Sequence, residues 1–306
     1  MSQNQNILKK LKEEDVLGLS ESIWRNLLRN TPLRSGLEAA FSPEVVEKLV
    51  MTPRVGYWPQ IKNPRSFNEK IVHRKFYTDD ERFATVADKR SVRDYVRKRI
   101  GDDILNEVYY ITKTPSKIPF SQLPPEVVIK TGNKGTIIVD DTAGCDKREI
   151  IKQCQKAIAQ PYGVEKHEYW YADTEQSIIV ERKLKGARSE IPIDYKFYVF
   201  HGEVKCVHTD LDRFGDRSMR FYTRGWKPLP FQKSGNQLAP VIKKPKSYNK
   251  MVQIAERLGS EFDFMRVDLY ETASNGVIFG EMTPAPASGN GGFNPTKWDF
   301  ILGSYW

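Results

Sequence analysis

The sequence predicts an α+β chain. Three observations carry this: helical spacing of apolar residues up to about Ile100, short β-branched runs broken by Gly and Pro after Pro115, and two further helical stretches set between those runs. With 306 residues, 39% hydrophobic and 28% charged, the chain can build two or three cooperating subdomains around a sizeable core, which excludes a disordered tail or a disulfide mini-scaffold. Forty-eight Lys and Arg against 39 Asp and Glu leave a net charge of +9. That surplus suits an anionic partner without naming it: nucleotide phosphates, an acidic polymer, nucleic acid or an anionic lipid face.

Taken in order, residues Ile7 to Leu28 carry apolar side chains at roughly helical spacing among Lys, Glu and Arg. They suit one or two amphipathic helices that pack on the main domain, or that meet a membrane surface or a partner enzyme. Met1 to Asp15 is polar, with neither a secretory signal nor a membrane anchor, so a soluble cytoplasmic protein is expected. Cys145, Cys154 and Cys206 are odd in number with no CxxC pair, and read as reduced thiols outside any zinc ribbon. A helix is predicted from Pro43 to Met51 with Ser42 as its N-cap and Glu44 and Glu47 in its first turn. Helical, charge-rich patterning resumes from Ser66 to Ile100, and Gly101 is placed to end it.

Pro115, Pro119, Pro124 and Pro125 mark loops. Val127 to Lys130 and Ile137 to Val139 then read as strands of a hairpin with a small basic tip. Lys147 to Gln160 reads as a helix, Ser177 to Leu184 as a strand, and Tyr195 to His208 as two strands about the turn His201-Gly202-Glu203. Tyr248 to Leu258 is a helix ended by Gly259, followed by strands Arg266 to Glu271 and Val277 to Glu281. Thr283 to Trp306 is rich in Gly, Pro, Asn and aromatics, with little periodicity. No internal repeat is visible, so solenoids and arrays fall away.

The last hairpin is the most informative stretch. If it is centred on Thr272–Gly276, positions that sum to about 549 face each other, so Asp268 opposes Glu281 with Cβ atoms about 5 Å apart. Arg266 and Thr283, two residues outward, share that face. Opposed carboxylates need a compensating cation or a shared proton. A hard divalent ion such as Mg²⁺ takes one or two carboxylates plus substrate phosphates, and Thr283 offers a further oxygen. Two strand acids neutralised by Arg266 are the plainer reading. Elsewhere, Lys130 ends a strand at a Gly-containing turn, suited to setting an ammonium on phosphate, and Lys89 lies in Ala87-Asp88-Lys89. Glu181 closes a strand, where a carboxylate and backbone groups can meet the donor edge of an adenine, and Lys196 follows Asp194-Tyr195 at the start of another.

This order of residues resembles the ATP-grasp superfamily. Ser66-Phe67-Asn68-Glu69-Lys70-Ile71, Ala87-Asp88-Lys89, Asp194-Tyr195-Lys196-Phe197, Arg266-Val267-Asp268-Leu269-Tyr270 and Gly280-Glu281-Met282-Thr283 resemble its TupA-like branch, named for teichuronopeptide biosynthesis. The resemblance runs from about Ser66 through Trp298-Asp299-Phe300 and Leu302-Gly303. It implies an ATP-grasp fold, two α+β subdomains gripping ATP, with residues 1–62 as an N-terminal helical extension, 63–122 as the first part of the ATP-grasp region, 123–184 as the lid and 185–306 as the C-terminal subdomain with the metal site. It further implies that Lys89 and Lys130 contact ATP phosphates, Glu181 and Leu184 frame the adenine, Asp268 and Glu281 hold Mg²⁺, Arg266 stabilises charge on the transferring phosphoryl group or a tetrahedral intermediate, and Lys196 lies near the γ-phosphate. Thr283 stands where the family usually has Asn. The tip from Thr131 to Thr136 is shorter than the His- and Gly-containing loop of related sequences.

The implied activity is an ATP-dependent carboxylate–amine ligase that passes through an acylphosphate, joining an amino acid to an acidic sugar or surface-polysaccharide precursor. Such a reaction needs no protein nucleophile, and His73, His167, His201 and His208 are scattered. Pro284 to Asn294 reads as an acceptor-pocket wall or as a plain connecting loop. A rival is a sugar transferase with a nucleotide-sugar donor, for which the nearest Asp-x-Asp is Asp210-Leu211-Asp212. A third is a non-catalytic nucleic-acid or membrane binder. It leaves the Asp268–Glu281 register unexplained, and Phe221-Tyr222-Thr223-Arg224-Gly225-Trp226 is only a faint stacking signal, so nucleic acid is not an expected partner.

Overall fold

The computed structural model describes residues 31–306 except 133–134, 160–161, 164–165, 173, 175, 212–217 and 275. The helical reading of Ile7 to Leu28 lies outside these residues. In chain order the elements are α1 (Thr31–Ala40), α2 (Pro43–Val55), α3 (Phe67–Tyr77), α4 (Arg82–Ala87), α5 (Ser91–Arg99), β1 (Val108–Thr112), β2 (Val127–Thr131), β3 (Gly135–Val139), α6 (Lys147–Ala159), β4 (Ile178–Arg182), β5 (Asp194–Phe200), β6 (Glu203–Leu211) and β7 (Ser218–Thr223). They continue with β8 (Gln232–Lys233), β9 (Gln237–Leu238), α7 (Tyr248–Gly259), β10 (Phe264–Thr272), β11 (Gly276–Thr283), β12 (Phe293–Asn294) and α8 (Lys297–Gly303). The chain is α+β, and no helix among the described residues is long and apolar enough to cross a membrane.

The chain divides into two compact units. One takes the described residues up to Thr78 with Phe231–Asn236 and Ala285–Trp306. Its α2 begins as expected at Pro43 but runs on to Val55, and Ser42 is extended at the N-cap without a side-chain hydrogen bond to the helix. The cap that forms is at α3, where Ser66 Oγ accepts from Glu69 N (3.1 Å) and Glu69 Oε2 accepts from Ser66 N (2.9 Å), a reciprocal pairing that satisfies two amides the first turn leaves open. Asp299 of α8 binds the same helix, accepting from Asn68 N (2.9 Å), Asn68 Nδ2 (2.8 Å) and Tyr57 Oη (2.7 Å). The segment after Pro284 is held against α3. Gly289 lies so near Val72 and the Asn68 carbonyl that a Cβ would fall 2.6 and 2.9 Å from them, and Lys75 Nζ donates to Ser288 O (3.0 Å).

The other unit holds Asp79–Pro230 and Gln237–Pro284. The single helical stretch expected to Ile100 is broken here into α4 and α5, and Gly101 adopts the left-handed φ of +125° that a stop requires. A four-stranded antiparallel sheet, ordered β1-β4-β2-β3, packs Val127, Ile129, Ile178 and Val180 on α6 residues Ile150 and Cys154. A six-stranded sheet runs β11-β10-β5-β6-β7-β9. β5 and β10 each turn one face to an apolar core and carry their charged residues on the other, beside Tyr198, Phe200 and Phe264. Tyr195, Phe197 and Val199 of β5 and Met265, Val267 and Leu269 of β10 share a core with Tyr248, Met251, Ala255 and Leu258 of α7. Alternation therefore sends Asp194 and Lys196, and Arg266 and Asp268, to the opposite face, and all seven residues of β5 are buried. The aromatic run near Phe221 is core rather than a stacking surface: Phe221 and Tyr222 are buried and Trp226 stacks on Tyr222 at 4.2 Å.

The decisive local feature is in the β10–β11 hairpin. Near the turn the pairs are Thr272 with Gly276, Tyr270 with Ile278 and Leu269 with Phe279, but beyond an irregularity they are Asp268 with Glu281 and Arg266 with Thr283. Gly280 is the extra residue of a β-bulge, and it switches the phase of β11. Val277 and Phe279 before it and Met282 after it all face the apolar core, so Glu281 is left on the face of Asp268.

Candidate active site

The register builds one row across four strands: His208 on β6, Lys196 on β5, Asp268 on β10 and Glu281 on β11. His208, Lys196 and Asp268 are buried, whereas the Glu281 side chain is 48% exposed, so the row opens to solvent at the β11 end. Arg266 spans the two predicted metal carboxylates. Its Nε donates to Asp268 Oδ1 (2.7 Å), its Nη2 to Asp268 Oδ2 (2.8 Å), and Nη2 also meets Glu281 Oε1. Thr283 Oγ1 donates to Glu281 Oε1 at 3.2 Å, which places all four predicted residues on one face. Lys196 Nζ donates to Asp268 Oδ2 (2.8 Å) and to Asp194.

Burial is the strongest influence on each group here. It pushes the Asp268 carboxyl up to about 6, against the opposing pull of Arg266 and Lys196. For Lys196 burial works downward, but the Asp194 and Asp268 carboxylates outweigh it and the ammonium ends above its ordinary value. Arg266 is likewise held cationic by Asp268 and Glu281 against its burial.

The nucleotide-contacting residues expected from the sequence converge at the edge of this row. Lys89, Lys130, Glu181, Leu184 and Glu281 line one cleft, whose apolar walls include Val128, Ile138, Ile191, Pro192 and Tyr270. That mixture suits a nucleotide: apolar walls with a few converging charges. Lys130 and Glu181 face each other from neighbouring strands, Nζ to Oε1 2.7 Å. Lys89 and Lys130 also line an adjoining recess with Arg93, Tyr162, Tyr171 and Thr283. Burial, reinforced by the Lys130 charge, lowers the Lys89 pKa to about 8, so this ammonium sits where its own charge is disfavoured and an anion would be welcome.

Sequence reasoning missed Ile191, Pro192, Arg93 and the two tyrosines. Only Arg93, four residues beyond Lys89 in a charge-rich stretch, carried a usable signal; Lys89 itself lies in the turn between α4 and α5. Asp210, weighed in an Asp-x-Asp loop, lies instead in β6 and is 2% exposed; Asp212 is outside the described residues.

The TupA-like ATPgrasp family matches residues 69–306. The chain belongs to that family. No curated protein matches it. Distant likenesses exist among solved structures. D-alanine–D-alanine ligase from Bacillus anthracis complexed with ATP is 12% identical over 66% of this chain and 57% of that one, with a TM-score of 0.39. An ADP complex of PurK, an N5-carboxyaminoimidazole ribonucleotide synthetase, is 12% identical over 66% and 46% at 0.42. The ATP-grasp ligase PsnB, complexed with a phosphomimetic variant of its minimal precursor, Mg and ADP, is 13% identical over 88% and 66% at 0.38. The chain thus spans about half the length of the first two.

The residues of this TupA-like protein fit a divalent cation. On the charged face Asp194, Asp210, Asp268 and Glu281 stand among Lys196 and Arg266. Asp268 and Glu281 are the oxygen donors that a hard divalent ion would take together with phosphates. Among the described residues no group of three or more His, Cys, Asp or Glu is placed to hold a metal ion, so the protein would offer the pair and the substrate the remaining ligands.

Proposed function

We propose that the protein is an ATP-dependent carboxylate–amine ligase acting in the cytoplasm, and that it joins an amino acid to an acidic sugar or surface-polysaccharide precursor. The observation that carries the reading is the convergence of Lys89, Lys130, Glu181 and Leu184 on a cleft whose far wall, Glu281, is also half of the carboxylate pair. The adenine would lie between the apolar walls beside Leu184, with the Glu181 carboxylate at its amino edge. Lys89 and Lys130 would meet the phosphates, and Asp268 and Glu281, with Thr283, would hold Mg²⁺. Bound there, the ion would neutralise phosphate oxygens as charge moves onto them.

The chemistry proceeds in two steps. A substrate carboxylate oxygen attacks the γ-phosphorus, the bond to the β-phosphate oxygen breaks, and ADP leaves an acylphosphate. The amine then attacks the acyl carbon and expels phosphate, giving an amide after loss of a proton. Phosphoryl transfer of this kind depends on positioning and charge neutralisation. Lys196 and Arg266, fixed by buried carboxylates, would meet the developing negative charge without reorganising. The +9 charge accords with an acidic substrate.

The test is ADP release against amino acids paired with uronic acids, sugar nucleotides and small peptides, with Asp268→Asn and Glu281→Gln alongside. Wild type should release ADP with at least one pair and both variants should not. Equal Mg-ATP binding by all three proteins would overturn the reading.

A further inference from the structure

Farther across the same face, on β5 and β6, lies a buried group of charges that does not line the nucleotide cleft. Its centre is Asp210, whose Oδ2 is 3.7 Å from Lys196 Nζ and whose Oδ1 is 3.2 Å from His208 Nε2. The register explains the arrangement. Lys196 opposes His208 on one side and Asp268 on the other, and Asp194 opposes Asp210. His208 is itself stacked on Phe221, with ring centroids 4.6 Å apart, and both residues are fully buried. One ammonium is thereby divided among three carboxylates, Asp194, Asp210 and Asp268, of which only Asp268 belongs to the proposed metal pair.

This division bears on the metal. Lys196 Nζ donates to Asp268 Oδ2, the oxygen that Arg266 Nη2 also uses, so the ammonium and a divalent cation draw on the same carboxylate. Asp210 pulls on Lys196 from the opposite side. Without its charge the ammonium would rest more fully on Asp268, and the face would also lose one of the negative charges that favour a cation. Both effects have the same sign.

We infer that Asp210 is a positioning residue for the metal pair: acting through Lys196, it keeps Asp268 available to a divalent cation. The inference rests on the ligase reading only in taking Asp268 and Glu281 as metal carboxylates.

The experiment is Mn²⁺ binding to the full chain with ADP, followed by electron paramagnetic resonance and calorimetry, alongside metal-free ADP binding and thermal melting. Asp210→Asn should weaken Mn²⁺ binding about tenfold or more, the loss typical of removing a group that orients a ligand, and leave metal-free ADP binding within about twofold. Asp210→Glu should restore part of the affinity. Val207→Ala, a buried change on the other face of β6, should lower the melting temperature and leave Mn²⁺ affinity alone. His208→Phe should keep the stack on Phe221 while releasing Asp210, and so tighten Mn²⁺ binding; it also serves if the Asn variant fails to fold. Wild-type Mn²⁺ affinity in Asp210→Asn, or weakened affinity in His208→Phe, overturns the inference. If wild type and Asp268→Asn bind Mn²⁺–ADP equally, the metal assignment fails first and takes the inference with it.

Discussion

Asp268 stands opposite Glu281 because β11 carries one residue more than β10 at that point, and the extra residue is Gly280. A Cβ on Gly280 would lie 2.9 Å from Tyr270 Cε2 and 3.0 Å from the Asp268 carbonyl oxygen, so the bulge leaves no room for any side chain. Gly280→Ala must push either Tyr270 or the Asp268 backbone. We expect a loss of about 1–3 kcal/mol in stability, the usual cost of overpacking. Mg-ADP binding should weaken as Glu281 leaves its position opposite Asp268. Urea melts and calorimetry check this; unchanged Mg-ADP affinity in a destabilised variant would show that the bulge does not set the carboxylate geometry.

How the hairpin was legible in the sequence follows from the same residue. Counting outward from the turn gives pairs that sum to 548, as Thr272 with Gly276 does, and would set Asp268 against Gly280. A centre taken at 549 finds the correct partner because the bulge supplies the missing residue. The strand faces were legible wherever a period of two met one apolar wall, as in β10. In β5 the sequence Asp-Tyr-Lys-Phe shows the same alternation, although burial on both faces conceals which side holds the site. Ile191 and Pro192 were not legible, since the segment before β5 has no periodicity and reaches the cleft through tertiary packing alone. Ser42 and Ser66 each precede a helix with an acid three residues on or close by, at Glu44 and Glu69. Only the Ser66 spacing allows both halves of the capping exchange.

Arg266 bridges two carboxylates with a planar fork, a geometry an ammonium cannot reproduce. Arg266→Lys should keep the charge and the fold but serve Asp268 and Glu281 less well. ATP binding should change by only a few-fold, while turnover in the ADP-release assay should fall by about a hundredfold or more, the scale of losing one preorganised donor to developing charge. Weakened ATP binding with unchanged turnover at saturating ATP would place Arg266 in ground-state binding only.

Lys89 gives nucleotide binding a defined pH dependence. Burial first, with the Lys130 charge behind it, lowers its pKa to about 8, while Glu281, Asp88 and Glu181 oppose the shift. Below that pH the free protein presents an ammonium to phosphate; above it the charge is lost. Bound phosphates favour the ammonium, so binding near pH 8 should take up a proton. ATP affinity should be flat from pH 6.5 to 7.5 and then fall, by at most about tenfold per pH unit. Calorimetry in two buffers of different ionisation enthalpy reads the proton directly. Lys89→Arg, which stays charged, should flatten the profile; a wild-type profile in that variant would remove Lys89 from phosphate contact.

The first unit has its own pH signature in Glu47 and Lys75, both side chains buried and 2.8 Å apart. Burial would raise the Glu47 pKa, but Lys75 and Arg34 outweigh it, and the carboxyl is held below its ordinary value of 4.5. A carboxyl depressed in the folded state contributes stability that is fully present above the unfolded pKa and is lost as pH falls through the folded one. Glu47→Gln removes that contribution and leaves the buried Lys75 ammonium with the Ser288 carbonyl and hydroxyl but without a carboxylate at Glu47. At pH 7 the variant should be about 3–5 kcal/mol less stable, the cost of removing one partner of a buried pair. The gap should narrow below pH 4.5, because acid protonates Glu47 in the wild type and makes the two side chains alike in charge. Urea melts of both proteins at pH 7, 5, 4 and 3 decide it, and a gap that stays constant across that range would mean that Glu47 stabilises the unit by packing and not by its charge.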